Sequence, residues 1–388
     1  MKKIYIDFIW MGMNRHKMIH GGGNYAKKIT LLLQEKTDKI SLNILWPEGR
    51  QPIGDDETTI HNHQKSNVLK IKDTLIDYKF SNDSVLFIPL LSVADFKVLK
   101  VLKDKYPTLK IYLTVHGLRP LDLFVDRYSN NDLSIKFFLA FDYFKDKIKK
   151  LAYKYYLKKY LIYCDKIFTV SNYSLQQIVK YVSAKNISFY YQDILYDKQE
   201  IKTEFKEKFI LFLSGDRVEK NYLRTLKAFC QYKQSNNNDL FLYTTGIDDK
   251  KAKNIRKFFN SKELDIIDNW VKHYDYVDKS ILSDMYQQCS FLLFTSKSEG
   301  YGLPVLEALY RWKPVLASYI TSIPEVAGPA IHYVDPYSIE SIVLGLSYMS
   351  DSVNIAKHIE YIKKILPALK LRIKIDMEIL INEIIAEE

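Results

Sequence analysis

The stretch SEGYGLPVLEALYRWKPVLAS, residues 298–318, carries two carboxylates eight positions apart, Glu299 and Glu307, with Gly300 and Gly302 between them. Pro304 suits the first turn of a helix, where the N–H it lacks would be unpaired anyway, so a helix is expected from Leu303 or Pro304. The loop from Gly300 through Tyr301 and Gly302 to Leu303 then offers backbone amides that phosphates or a sugar can approach closely. With Glu299 at the strand end and Glu307 in the first helical turn, one acid could accept from ribose hydroxyls and the other from a sugar beyond the phosphates. The pattern equally suits an ordinary strand, turn and helix with its charges in water.

A second stretch, FILFLSGDRVEKN, places Gly215, Arg217 and Lys220 directly after an apolar run and before a helical pattern. Two cations at a helix start are what a diphosphate requires: arginine offers a planar fork, lysine a mobile point charge. Alone, this R-x-x-K is also consistent with a solvated basic turn.

The elements that must position these residues are short apolar runs alternating with amphipathic stretches. KIYIDFIW, LNILW, SVLFIPLL, KIYLTVHG and KIFTVS read as strands, followed after residue 208 by FILFLSG, LFLYTTG, FLLFTS and PVLAS. Strands separated by helical patterns indicate parallel sheets, and a polar stretch over 195–207 splits them into two doubly wound sets. In such sheets ligands sit beyond the carboxyl ends of the strands. From about Ile355 the pattern is helical, with Ile362, Ile365, Leu366 and Leu369 expected in the core.

The 388 residues suit two domains, and 47% hydrophobic content with 27% charged residues describes a folded globular chain. The apolar runs are shorter than the roughly 20 residues that cross a bilayer. The lysine-led start MKKIYIDFIWMGM is interrupted by Asp7 and reads as a first buried strand, not a leader. Cys164, Cys230 and Cys289 are far apart, which suggests buried free thiols in a reducing cytoplasm. The net charge of +11 invites an anionic partner without choosing one.

Four pieces in order, EGYGLPVLEA, KPVLAS, IPEVAGPA and YVDP, resemble the nucleotide-sugar site of retaining glycosyltransferases of the GT-B fold, in particular glycosyltransferase family 4. GDRVEKN is similar to that family's basic diphosphate pair, and GGGNYAKKI, LTVHG and FTVSNYS extend the likeness through the first half. The resemblance implies an α/β protein of GT-B type, two Rossmann-like domains facing a central cleft. An acceptor-side domain would span residues 1–200, joined by a C-terminal helix over 368–388, and a donor domain residues 201–367. It implies that Arg217 and Lys220 neutralise the diphosphate, that Glu299 contacts the donor sugar and Glu307 the ribose, and that amides around Gly215 and 300–303 complete donor binding. His116 would lie near donor and acceptor. Gly22, Gly23 and Asn24, ahead of a helix at Tyr25, would form an acceptor or phosphate loop.

The implied reaction moves a sugar from a UDP- or GDP-linked donor to a glycan or lipid-linked hydroxyl in bacterial surface polysaccharide synthesis, with no cofactor. No D-x-D occurs, and two cations plus helix amides make a metal unnecessary for the leaving group. The rivals are a nucleotide-sugar epimerase of the same fold and a non-catalytic sugar-nucleotide-binding protein. The pattern departs from the family at Trp312, where glycine usually ends the helix in a left-handed conformation. The stretch 141–163, with seven lysines and many aromatics, suits either a solvated helix face or contact with an anionic membrane on its cytoplasmic side. No nucleic-acid motif accompanies it, so nucleic acid is not expected as a partner.

Overall fold

The computed structural model describes residues 1–9, 21–49, 54–71, 75–91, 96–123, 138–181, 186–194 and 200–386. Residues 195–199, at the expected domain boundary, lie outside the described residues. The chain divides into two compact units, one of Met1–Leu121, Lys149–Leu195 and Lys370–Glu388, the other of Asp122–Ile148 and Tyr196–Leu369. Residues 122–148 thus group with the second unit, whereas the sequence places them with the first 200.

The described part of the first unit contains β1 (Lys2–Asp7), β2 (Ile40–Pro47), β3 (Ser66–Ile71), β4 (Val85–Ile88), β5 (Lys110–Val115), β6 (Lys166–Thr169) and β7 (Ile187–Phe189). They form a sheet in the order β3-β2-β1-β4-β5-β6-β7, every pairing parallel. The second unit contains β8 (Phe209–Phe212), β9 (Phe241–Thr244), β10 (Val271–His273), β11 (Phe291–Phe294), β12 (Val315–Ser318) and β13 (His332–Val334). Their order is β10-β9-β8-β11-β12-β13, again all parallel.

VLFI, FILF, FLLF and VLAS are buried along their whole length, as central strands with helices on both faces must be. In the first unit Leu86, Ile111 and Leu113 pack against Leu157, Tyr160 and Leu161 of the helix Phe138–Leu161. In the second, Ile210, Phe212 and Leu293 pack with Leu226 and Phe229 of the helix Tyr222–Ser235 and with Ile342 of the helix Ile339–Met349. Of the expected C-terminal core positions, Ile362, Leu366 and Leu369 are buried and Ile365 is half-buried.

The segment entering β8 is pinned by the helix Lys279–Gln288. The Asp284 carboxylate accepts from the Lys202 and Thr203 amides (3.2 and 2.9 Å), and Gln288 Oε1 accepts from the Phe205 amide (3.0 Å). All three cysteines are free thiols, and burial pushes those of Cys230 and Cys289 up to about 12.

The helix Leu303–Tyr310 ends as a glycine-terminated helix would, but on Trp312. Its amide donates to the Leu309 carbonyl (2.9 Å), and the Lys313 amide donates to Ala308 (2.9 Å), the paired bonds of a Schellman ending. Trp312 therefore takes the left-handed conformation (φ 56), with its ring half in solvent and Lys363 Nζ 5.7 Å from the ring centre. A left-handed residue with a Cβ costs roughly 1–2 kcal/mol, and an exposed cation–π contact returns only about 0.5–1. Trp312→Gly is accordingly expected to gain about 0.5–1 kcal/mol, read as a rise of about 1–4 °C in Tm, while Trp312→Ala keeps the strain and gains nothing. Equal Tm values for both variants would contradict this.

Candidate active site

The strand order of the second unit reverses between β8 and β11: the chain leaves β8 for β9 on one side and β11 for β12 on the other. Turns that diverge leave a crevice at the carboxyl ends of these two neighbours, the usual ligand position of such sheets. The two motifs singled out in the sequence lie there, one after each strand.

After β8 the chain passes Gly215 into a single tight turn, Val218–Lys220, and then into the helix Tyr222–Ser235. A Cβ on Gly215 would meet the Ile247 side chain at 2.9 Å and the Tyr222 ring at 3.3 Å, so packing alone demands glycine there. Asn221, left-handed at φ 65, donates through Nδ2 to the Pro336 carbonyl (2.7 Å). Arg224 Nη1 donates to the same carbonyl (3.2 Å) and to Asn221 Oδ1 (2.7 Å). The GDRVEKN turn is thereby fastened to the YVDP turn that follows β13.

After β11, the Lys297 amide donates to the Glu219 carbonyl (2.7 Å), tying this loop to the turn after β8. On its other side the Glu299 amide donates to Thr321 Oγ1 (3.2 Å), and Ser322 Oγ donates to the Glu299 carbonyl (3.0 Å), tying it to the turn after β12. Glu299 is thus clamped from both neighbours. Lys220 Nζ then reaches across and donates to Glu299 Oε1 at 2.5 Å, and Ser296 Oγ lies 2.6 Å from the same oxygen. Both charged side chains are only 8% exposed, with Lys220 Nζ also 4.5 Å from the Phe294 ring centre. Arg217, three residues earlier and half-buried, makes no ion pair among the described residues.

Gly302 caps the helix Leu303–Tyr310 at φ 99, a conformation that favours glycine, and Pro304 lies in the first turn. Glu307 is in the second turn, not the first as the spacing suggests, because the helix starts at Leu303. Nearby the Tyr286 hydroxyl donates to the Pro304 carbonyl (3.3 Å); burial pushes the Glu307 carboxyl above the usual carboxylate range, opposed by Tyr286 and the charges of Arg311, Lys279 and Lys220. Arg311 Nη1 donates to the Glu307 carbonyl (3.0 Å), and the guanidinium lies 5.1 Å from the Tyr286 ring centre. Gly300 and Tyr301, between the two acids, are buried.

The remaining expected residues belong to the first unit. The helix there begins at Gly21 instead of Tyr25, so Gly22, Gly23 and Asn24 form its first turn. First-turn amides have no partner within the helix, which leaves these three suited to an anion even without a separate loop. His116, after β5, donates through Nε2 to the Pro89 carbonyl (2.9 Å). The Tyr25 ring stands edge-on to it at 4.7 Å, while the Tyr25 hydroxyl pairs with Thr114 Oγ1 (3.1 Å). One tyrosine therefore joins the helix start to His116. Sequence reasoning missed Ser296, Thr321 and Ser322, whose one available signal was small polar residues shortly after strands, and Asn221 and Tyr286, which carried none.

The architecture of two parallel sheets with flanking helices is the GT-B fold. It is shared over 99% of this chain and 99% of sucrose-phosphate synthase from Thermosynechococcus elongatus, with a TM-score of 0.69 at 12% identity. Residues 195–365 match the family model of glycosyl transferases group 1. O-antigen chain mannosyltransferase B of Escherichia coli is 36% identical over 75 residues, 19% of this chain and 20% of the relative, so the match spans about a fifth of that protein's length. O-antigen chain mannosyltransferase RfbU of Salmonella typhimurium is 24% identical over 256 residues, 64% of this chain and 68% of the relative.

Removing one member of a buried ion pair strands the other, at a typical cost of about 3–5 kcal/mol. Lys220→Met and Glu299→Gln are each expected to lower the unfolding free energy by about that amount, and the double variant by less than the sum. Additive losses in urea titrations would show that the pair does not couple.

Glu307 gives a pH test. Its folded-state pKa is raised, so the folded protein holds a proton over a range where the unfolded chain has released it. The stability this confers is full below the unfolded value and lost as pH rises through the folded one. Glu307→Gln should therefore gain stability relative to wild type as pH rises above the usual carboxylate range; a difference independent of pH refutes the raised carboxyl.

Proposed function

We propose that this protein is a retaining glycosyltransferase that moves a sugar from a nucleoside-diphosphate donor, UDP- or GDP-linked, to a hydroxyl of a glycan or lipid-linked acceptor. The observation that carries the reading is the meeting of Lys220 and Glu299 at the strand-order reversal, beside Arg217 and the capped start of the helix Leu303–Tyr310. Two cations and helix amides suit a diphosphate, and carboxylates beside them suit sugar hydroxyls. Arg217, half-buried and without an ion pair among the described residues, is free to take phosphate oxygens. Lys220 can share its remaining donors between Glu299 and the diphosphate. Amides around Gly215 and along 300–303 would complete the donor site.

Glu299, held by Lys220 and Ser296, suits accepting a donor-sugar hydroxyl better than attacking carbon. Glu307, half-buried and protonated more readily, is assigned to the ribose. In the reaction, the acceptor oxygen bonds to the anomeric carbon as the bond to the diphosphate breaks. The leaving diphosphate takes the electron pair, and its own oxygen receives the acceptor's proton. His116 and the helix start at Gly22, Gly23 and Asn24 are assigned to the acceptor side. Charge on the leaving group is met by side chains and amides, so no metal is required. The relatives named for mannose transfer to O-antigen make a nucleotide-linked mannose the first donor to test and bacterial surface polysaccharide the proposed product.

Transfer from radiolabelled nucleotide sugars to membrane-extracted acceptors tests this. Lys220→Ala and Arg217→Ala should each lower kcat about 10²–10³-fold, the loss typical of removing one stabiliser of developing charge, and chelation should leave the rate unchanged. Isomerised donor formed without acceptor would establish the epimerase instead, and donor binding without turnover the binding protein.

A further inference from the structure

We propose that the outward face of the helix Phe138–Leu161 is a docking surface for an anionic lipid bilayer. This helix already has a core face: Leu157, Tyr160 and Leu161 are buried in the first unit. At 100° per residue, the opposite side is centred on Ile148, Leu151 and Tyr155, continued by Ile162 in the following turn. These four are 50%, 59%, 58% and 59% exposed. A helix packed on one side gains nothing in water from a second apolar side, and here Ile148, Leu151 and Tyr155 follow one another over about 10 Å, with Ile162 beyond Lys158 and Lys159.

Charge decides what covers it. Between residues 146 and 162 the sequence has six lysines against one acid, Asp146. Lys147, Lys158 and Lys159 are exposed and border the stripe, and Lys159 Nζ lies 5.7 Å from the Tyr155 ring centre. Lysines on long stems beside an apolar strip can place their ammonium groups among lipid phosphates while the strip enters the acyl boundary. A protein partner would need a matching acidic surface around an apolar ridge, whereas an anionic bilayer supplies both at once. The arrangement does not depend on the transfer reading, since binding to vesicles is measured without donor or acceptor.

Flotation of the full chain with vesicles of phosphatidylcholine alone, or of phosphatidylcholine mixed with phosphatidylglycerol, is the test. Binding is expected to the mixed vesicles and not to the neutral ones, and to weaken with salt. Lys158→Gln with Lys159→Gln should reduce it about tenfold or more, as should Leu151→Gln with Tyr155→Gln. Leu371→Gln, at an exposed apolar position of the helix Ser352–Ile385, should leave it unchanged, with thermal unfolding confirming that every variant is folded. Equal binding to neutral vesicles, absence of binding at low salt, retention on single-stranded DNA but not on vesicles, or an equal loss in Leu371→Gln would each overturn the proposal.

Discussion

All strand pairings among the described residues are parallel, and the position of the polar cluster around Lys220 and Glu299 follows from that constraint. A parallel strand cannot return by a hairpin, so each chain segment leaves at the carboxyl end and comes back through a helix. The turns after β8, β11 and β12 consequently lie side by side. Their strands are apolar but for Ser318 at the end of β12, so the first polar residues appear where hydrogen-bonding ladders stop. Buried there, they must satisfy one another. Lys220 with Glu299, the Glu299 backbone with Thr321 and Ser322, and Asn221 with the Pro336 carbonyl continue the sheet in side chains beyond its last backbone pairing.

The same constraint explains which strands were legible. Nine apolar runs identify the strands with neighbours on both sides. The four that escaped, β3, β7, β10 and β13, are the outer strands of the two sheets. SNVLKI, ISF, VKH and HYV are half-exposed and three of them only three residues long. An edge strand buries less of itself and is kept short or charged to discourage further pairing, so the hydrophobic signal that marks its neighbours is weak. Trp312 shows the complementary case. The sequence lacks the expected glycine, yet the paired ending bonds and the contact with Lys363 hold the helix end in the conformation a glycine would have taken.

At the site, residue type was readable and partnership was not. Glu299, Arg217 and Lys220 stand out because acids and cations directly after apolar strands are conspicuous. That Lys220 would be consumed in a buried pair while Arg217 has none among the described residues could not be read from R-x-x-K, since the difference depends on which side of the turn faces β11. Glu307 was found, but in a helix that starts at Leu303, as expected, it is the fifth residue and so falls just past the first turn. Its partner Tyr286 belongs to the preceding helix, where a tyrosine among amphipathic residues has no distinguishing mark. Ser296, Thr321 and Ser322 were invisible for a related reason: serine and threonine are common at strand ends, and only the clamp geometry makes these three particular.

The positive charge of the chain takes on a different meaning in this light. At the sequence level an excess of +11 invites an anion to the site, with Arg217 and Lys220 as its obvious hosts. Within the site, however, Lys220 faces Glu299, and Arg311 lies near Glu307 in the same cluster. In the proposed reading such a crevice would take a diphosphate through placed donors and through Arg217, which has no ion pair among the described residues, not through net charge. The excess is therefore a property of surfaces away from these pairs, and the helix Phe138–Leu161 holds the densest lysine run beside exposed apolar residues. The contacts within the site are short-ranged and geometric, while the excess charge belongs to a different part of the molecule, so salt should act on the two differently.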